Sequence, residues 1–131
     1  MDTIRLIHGM FGERVLPVLI VLVAIWLTVI WRAGTEPPRL ARLFPVLVDI
    51  QVLLGLIYWI SGLVAGGSAR ALYLSFPFLL HPLLAFISAG VAHMAVRPRG
   101  PFAGLGRWAP LVALVVLLVL VLGAVMVARS V

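Results

Sequence analysis

The chain has 131 residues, of which 64% are hydrophobic and 11% charged, and its mean hydropathy is +1.25. Soluble domains carry about 25% charged residues, so this composition excludes an ordinary water-soluble protein. The net charge of +6 comes from arginines that stand singly between apolar runs, which argues against nucleic-acid binding. The absence of cysteine excludes disulfides, thiolate-ligated haem and iron–sulfur clusters.

Four apolar stretches follow one another along the chain, and each is long enough to cross about 30 Å of hydrocarbon as a helix. They cover approximately residues 15–31, 44–65, 72–96 and 108–128. Acidic residues in the segment before the first stretch argue against a cleaved signal peptide, so we expect that stretch to be retained. The short Pro-, Gly- and Arg-rich connectors make neighbouring helices antiparallel. We therefore predict an all-α membrane protein, a single transmembrane domain over residues 1–131 with four helices in an up-down-up-down bundle.

The arginines near the helix ends favour one orientation of this bundle. The first and third connectors carry more of them than the other end does, which places these connectors in the cytoplasm and both termini outside. The two groups are Arg32, Arg39, Arg42, Arg97, Arg99 and Arg107 at the first and third connectors, and Arg5, Arg14, Arg70 and Arg129 at the opposite end.

His81, in the third span, is the most informative polar residue, because ionisable groups in transmembrane helices are rare and costly. Ala85, Ser88 and Ala92 share its helix face. A flat macrocycle would need such a face, with an imidazole for the metal and small side chains beside the ring. The alternative is that the small residues allow close helix packing while His81 bonds a neighbouring carbonyl.

His93 and Asp49 lie near the same membrane surface, in the third and second spans. We expect them to form a pair that acts either as a structural polar clamp or as a proton relay. Because His93 lies 120° around the helix and about 18 Å along it from His81, the two cannot ligate one centre. Gln51 points about 200° away from Asp49, so the two should contact different neighbours.

His8 lies in an amphipathic lead-in just before the first span, on the same side of the membrane as His81. Axial ligation of one haem by both histidines is topologically allowed. However, counting residues from the opposite helix ends gives a depth mismatch of about 12 Å between them, which argues against simple pairing. A wetted interfacial histidine is an equally good interpretation of His8.

Two further features concern packing. Gly62 and Gly66, with Gly55 one heptad earlier, have the small-residue spacing that lets helices approach closely. The fourth span has no polar side chain between Leu111 and Ala128, and we expect it to face lipid or a partner subunit.

The polar strings of the first three spans resemble a family of small bacterial four-helix membrane proteins described as cytochrome-b-like. Ile7-His8 matches its first motif, and Asp49-Ile50-Gln51-Val52-Leu53-Leu54-Gly55 matches its second. His81-Pro82-Leu83-Leu84, followed by Ala92-His93, matches its third, so the resemblance covers residues 7–99. Leu80 stands where the family often has glutamate. The resemblance implies haem b binding in a bacterial cell membrane.

Two functions follow as expectations. The first is electron transfer by a membrane-embedded b-type haem protein or subunit, with His81 as the tentative iron ligand and His8 or His93 opposite it. His93 could take that place only in a packing different from the one that separates it from His81. Asp49 and Gln51 would then handle protons or support the ligands. The second is a non-enzymatic accessory subunit, with or without a bound pigment, in a larger respiratory or photosynthetic complex or a homo-oligomer. No constellation of catalytic residues is visible, so we expect no independent enzymatic activity.

Overall fold

The computed structural model describes residues 2–129, which contain no β-strand. Helix α1 (Asp2–Met10), a π-helical turn (Phe11–Val15) and α2 (Leu16–Ile30) form one continuous first helix. The other helices are α3 (Leu43–Ala65), α4 (Gly67–Tyr73), α5 (Phe76–Ala95) and α6 (Ala109–Arg129), with 3₁₀ turns at Arg39–Arg42 and Ala103–Trp108. Four helical runs are long and apolar enough to cross a membrane: Thr3–Ile30, Arg39–Ala65, Phe76–Ala95 and Ala103–Arg129. The predicted all-α four-helix bundle is confirmed; Met1, Ser130 and Val131 lie outside the described residues.

The first helix begins at Asp2, well before residue 15, where the first membrane span was predicted to start. Pro17 cannot donate to the carbonyl of Glu13, and its ring would clash with that carbonyl in a regular α-helix. The structure accommodates the ring with the π-helical turn, in which the Leu16 N–H donates to the Phe11 carbonyl five residues back. The helix therefore continues through Gly9 and Gly12, and His8 lies inside the first crossing.

Hydrogen bonds at both ends of the bundle agree with the up-down-up-down order. At one end the first and third connectors meet, where the Gly34 N–H donates to the Pro98 carbonyl at 2.9 Å. At the other end Arg129, on the last turn of α6, donates to Glu13 of the first helix at 2.6 Å. Connectors one and three thus lie at one end, and the start of the first helix and the end of α6 lie at the other.

Helix α6 packs against the rest of the bundle along one face, a role that the expectation of a lipid- or partner-facing span did not include. It packs extensively against both α5 and α2, while α3 packs against α5, and α1 against α3. One face of α6 is buried, and the other exposes residues such as Val119 and Met126. The buried face consists of Ala109, Pro110, Ala113, Leu114, Leu117, Val121 and Ala124.

The third crossing begins at Phe76 rather than at residue 72. Tyr73 ends the short helix α4, and Ser75 adopts an extended backbone before Pro77 enters the first turn of α5. Proline is favoured there because its missing N–H has no partner in the first helical turn. The connection between α3 and α5 is therefore a helical turn that brings Tyr73 back over the end of α3.

The glycines near the end of α3 serve a contact and a turn within this chain. A Cβ on Gly62 would overlap the Tyr73 ring, and Gly66 ends the helix with a φ of +73°. The indole N–H of Trp59 donates to the Tyr73 carbonyl at 3.1 Å, which fixes the returning turn. The predicted close approach is present at Gly62, where the partner is this chain's own α4, and absent at Gly66, where an added Cβ would meet nothing within 4 Å.

Candidate functional site

His8 and Gln51 join the first helix to α3 through a reciprocal pair of hydrogen bonds. The Gln51 amide donates from Nε2 to the His8 carbonyl at 2.8 Å, and His8 Nδ1–H donates to the Gln51 carbonyl at 3.2 Å. Two glycines make room for this crossing. A Cβ on Gly12 would lie 2.5 Å from Gln51 Nε2, and a Cβ on Gly55 would lie 2.5 Å from His8 Cε1.

His81 is anchored in the same way on the opposite side of the bundle interior. Its Nδ1–H donates to the Ala124 carbonyl of α6 at 2.8 Å. Because a carbonyl can only accept, this bond selects the tautomer with the proton on Nδ1 and the lone pair on Nε2. This is the hydrogen bond to a neighbouring carbonyl that the packing alternative for His81 predicted.

The rings of His8 and His81 lie next to each other, with centroids 5.9 Å apart and planes at 85°. The depth mismatch calculated from the sequence does not keep them apart. That arithmetic treated both helices as straight, regular and parallel, whereas the first helix contains the π-helical turn and each imidazole reaches well beyond its backbone. With both Nδ1 atoms bonded to carbonyls, neither Nε2 atom has a hydrogen-bond partner among residues 2–129.

Two cavities adjoin this histidine pair. A small inner cavity of about 70 Å³ is lined mainly by apolar side chains such as Val48, Val52 and Val121. A wider outer cavity of about 460 Å³ extends toward the end that holds Arg5 and Tyr73. Both cavities are lined by the same set of residues at the crossing: His8, Gly12, Gln51, Gly55, Trp59, His81 and Val125.

The donor set of the site restricts what it could bind. Within residues 2–129 no group of three or more His, Cys, Asp or Glu side chains is placed to hold a metal ion. Two imidazoles alone leave a tetrahedral zinc site incomplete, since such sites use at least three protein ligands. A haem supplies its own four equatorial nitrogens and needs only axial ligands from the protein. The two imidazoles, with ring centres 5.9 Å apart and Nε2 atoms free of hydrogen bonds to the described residues, are the residues that would hold a haem here.

Size is the second criterion for a haem at this site. The outer cavity falls within the range of about 300–1,000 Å³ typical of small-molecule sites, whereas the inner one is too small. A haem held by both imidazoles would therefore need the outer cavity, where Gly9, Gly12 and Gly55 line the wall without side chains. Arg5 is the one arginine among the described residues that line this cavity.

His93 and Asp49 form the predicted pair, with His93 Nε2–H donating to Asp49 Oδ2 at 2.8 Å. Nearly half of each side chain is exposed on the outside of the bundle, at 47% and 45%. His93 is not among the described residues that line either cavity at His8 and His81. Gln51 and Asp49 contact different helices, as their angular separation predicted, and the buried Gln51 Oε1 has no partner among the described atoms.

The small residues beyond His81 serve helix packing. Ser88 is 2% exposed and its hydroxyl donates to the Leu84 carbonyl, while Ala92 is fully buried in the core. A macrocycle cannot lie along this part of α5 because α6 already covers it. The expected face of His81, Ala85, Ser88 and Ala92 is thus shared, with Ala85 and Ser88 lining the inner cavity and Ala92 packed in the core.

Several residues of the site could not be identified as such from the sequence. The Ala124 and Gln51 carbonyls that hold the imidazoles are main-chain groups, which leave no signal in residue types. Gly12 gives no signal of its own in the sequence, because its role in admitting Gln51 depends on the crossing of two helices. Arg5 was assigned to orientation alone.

Comparisons with known proteins do not identify a family for this chain. No family model, no curated protein and no solved structure matches the chain. The resemblance to cytochrome-b-like membrane proteins therefore stays a prediction from the sequence motifs.

Proposed function

We propose that this chain is a membrane-embedded haem b protein that transfers electrons, with His8 and His81 as the two axial ligands. The observation that carries the proposal is the pair of adjacent imidazoles whose Nδ1 atoms are both bonded to carbonyls. Metal-ligating histidines characteristically donate their other ring N–H to a carbonyl or carboxylate, which fixes the ring and raises its basicity. Both unpartnered Nε2 atoms are thus prepared as ligands.

In this proposal the remaining residues of the site hold and shield the haem. Gln51 fixes His8 through the reciprocal hydrogen bonds, and Gly55 leaves room for its ring. Arg5 is placed to pair with the propionates at the wide end of the cavity. When bound, the haem would supply one-electron chemistry, and the protein's part is to orient it and exclude water.

The proposal includes the position of the chain in the membrane. The chain would lie in a bacterial cell membrane, with connectors one and three in the cytoplasm because they carry more arginines. The haem would then lie nearer the outer surface, since His8 and His81 are close to the end that holds the N-terminus of α1.

A second candidate is an accessory subunit of a larger membrane complex. The observation that favours it is the Asp49–His93 pair, which is half exposed on the outside of the bundle. Polar side chains at membrane depth normally face protein or a water-filled space rather than lipid. This candidate and the haem proposal are compatible, because a haem-bearing chain can also be a subunit.

Titration with haem tests the proposed function. We expect the purified protein in detergent to bind one haem per chain and, once reduced, to show the sharp absorption bands of a six-coordinate b-type haem. His93→Ala is the matched control and should bind haem like the wild type, because His93 is bonded to Asp49 outside the site. A wild-type protein that takes up no haem under these conditions would overturn the proposal.

A further inference from the structure

A cavity of about 440 Å³ lies between the first and third connectors, at the end of the bundle opposite the histidine pair. It is lined by Gly34, Glu36, Arg97, Pro98 and Arg99. The hydrogen bond from the Gly34 N–H to the Pro98 carbonyl joins its two walls. The position is therefore a junction of two connectors rather than the surface of one mobile loop.

The backbone on the arginine side of this cavity is tightly folded. The Arg97 N–H donates to the Met94 carbonyl, and the Ala103 N–H donates to the Gly100 carbonyl. A Cβ on Gly100 would lie 3.1 Å from the Met94 carbonyl oxygen, so the chain turns closely against the end of α5. This turn brings Arg97 and Arg99, which precede and follow Pro98 in the sequence, into the lining of the cavity.

The charge around the cavity is unbalanced. Glu36 is the one carboxylate in its lining, and Arg42 already donates to Glu36 at 2.5 Å. Arg97 and Arg99 are exposed, and neither has an ion-pair partner among residues 2–129. The cavity therefore offers two uncompensated guanidinium groups, whose planar forks bind phosphate oxygens well.

The membrane surface supplies the matching anion. This end of the bundle carries Arg107 with its guanidinium 5.1 Å from the ring centre of the half-exposed Trp108, an arrangement typical of the headgroup region. Basic pockets between transmembrane helices at this level bind anionic lipid headgroups.

We propose that the cavity between connectors one and three is a binding site for the phosphate of an anionic phospholipid, with Arg97 and Arg99 as the phosphate ligands. The Gly34–Pro98 hydrogen bond holds the two walls at a fixed separation, and the Arg42–Glu36 pair removes the one opposing charge. The bound lipid fastens the two connectors to the membrane surface. This site is independent of the histidine pair and of haem.

Lipid retention by native mass spectrometry tests this site. The protein is reconstituted into nanodiscs of phosphatidylcholine with a minor fraction of phosphatidylglycerol, released, and examined for bound lipid. We expect the wild type to retain phosphatidylglycerol selectively, and the doubly substituted R97Q/R99Q protein to retain it roughly tenfold less. The matched control is R39Q/R107Q, which removes two exposed arginines at the same end that do not line the cavity, and it should retain the lipid within about twofold of wild type.

Two outcomes would overturn the proposal. Equal losses in R97Q/R99Q and R39Q/R107Q would mean that the whole charged surface, and not the cavity, attracts the lipid. Displacement of the retained phosphatidylglycerol by inorganic phosphate at comparable concentration would assign the site to free phosphate instead of lipid. Circular dichroism on both variants establishes that each keeps the wild-type helix content, which the exposure of all four arginines predicts.

Discussion

Gly55→Ala is expected to abolish tight haem binding while leaving the helix bundle folded. The added methyl group would lie 2.5 Å from His8 Cε1 and 3.1 Å from His8 Nε2, so the imidazole must leave its present position beside His81. We expect haem affinity to fall by about 10–100-fold, the usual cost of losing the support of a metal ligand. In haem-free protein, chemical modification of the His8 imidazole should become faster, which reports the displacement directly.

Gly90→Ala is the matched control for this substitution. Gly90 also lies inside a long helix, but a Cβ there meets nothing within 4 Å. Replacing it should leave haem binding unchanged, and stability should stay level or rise slightly because alanine favours helix more than glycine does. Unaltered haem affinity in Gly55→Ala would show that the position of the His8 ring is irrelevant to the site.

Leu117→Ala is expected to destabilise the bundle by about 2–5 kcal/mol, the range for removing a buried leucine and leaving a cavity. Leu117 is fully buried, in the helix that packs on both α5 and α2. The comparison is Leu122→Ala on the same helix, where the side chain is 44% exposed and the loss should be under about 1 kcal/mol. Unfolding in mixed detergent, followed by circular dichroism, measures both.

Equal effects of the two leucine substitutions would contradict the packing described for α6. Such a result would mean that α6 has no face preferentially buried in the bundle. The pair of substitutions separates burial from hydrophobicity, because the residue type and the helix are the same in both.

The number of crossings could be predicted from the sequence because hydropathy and helix length determine it. Which residues of a span are buried inside the bundle could not be predicted from the sequence, as α6 illustrates. Lipid tails and a protein core are both apolar, so Leu117 and Leu122 look alike in the sequence although one is buried and the other is not. The polar residues carried more information. The Asp49–His93 pair followed from helix geometry, since unpaired ionisable groups are costly in the bilayer.

The meeting of His8 with His81 was the point at which sequence arithmetic failed. Residue counts locate a side chain in depth only along regular, parallel helices, and the turn forced by Pro17 breaks that condition. The hydrogen-bond acceptors that hold the two imidazoles could not be identified from the sequence either, because the Gln51 and Ala124 carbonyls belong to the main chain. Sequence alone thus supplied the candidate ligands, while their pairing depended on packing.

The most direct test of the histidine pair is the spin state of the bound iron in single histidine variants. With two imidazole ligands, the wild type should be low-spin and six-coordinate in its electron paramagnetic resonance and absorption spectra. His8→Ala and His81→Ala should each give a high-spin, weaker complex, and the double variant should bind no haem specifically. A low-spin wild-type spectrum that persists in either single variant would contradict ligation by His8 and His81.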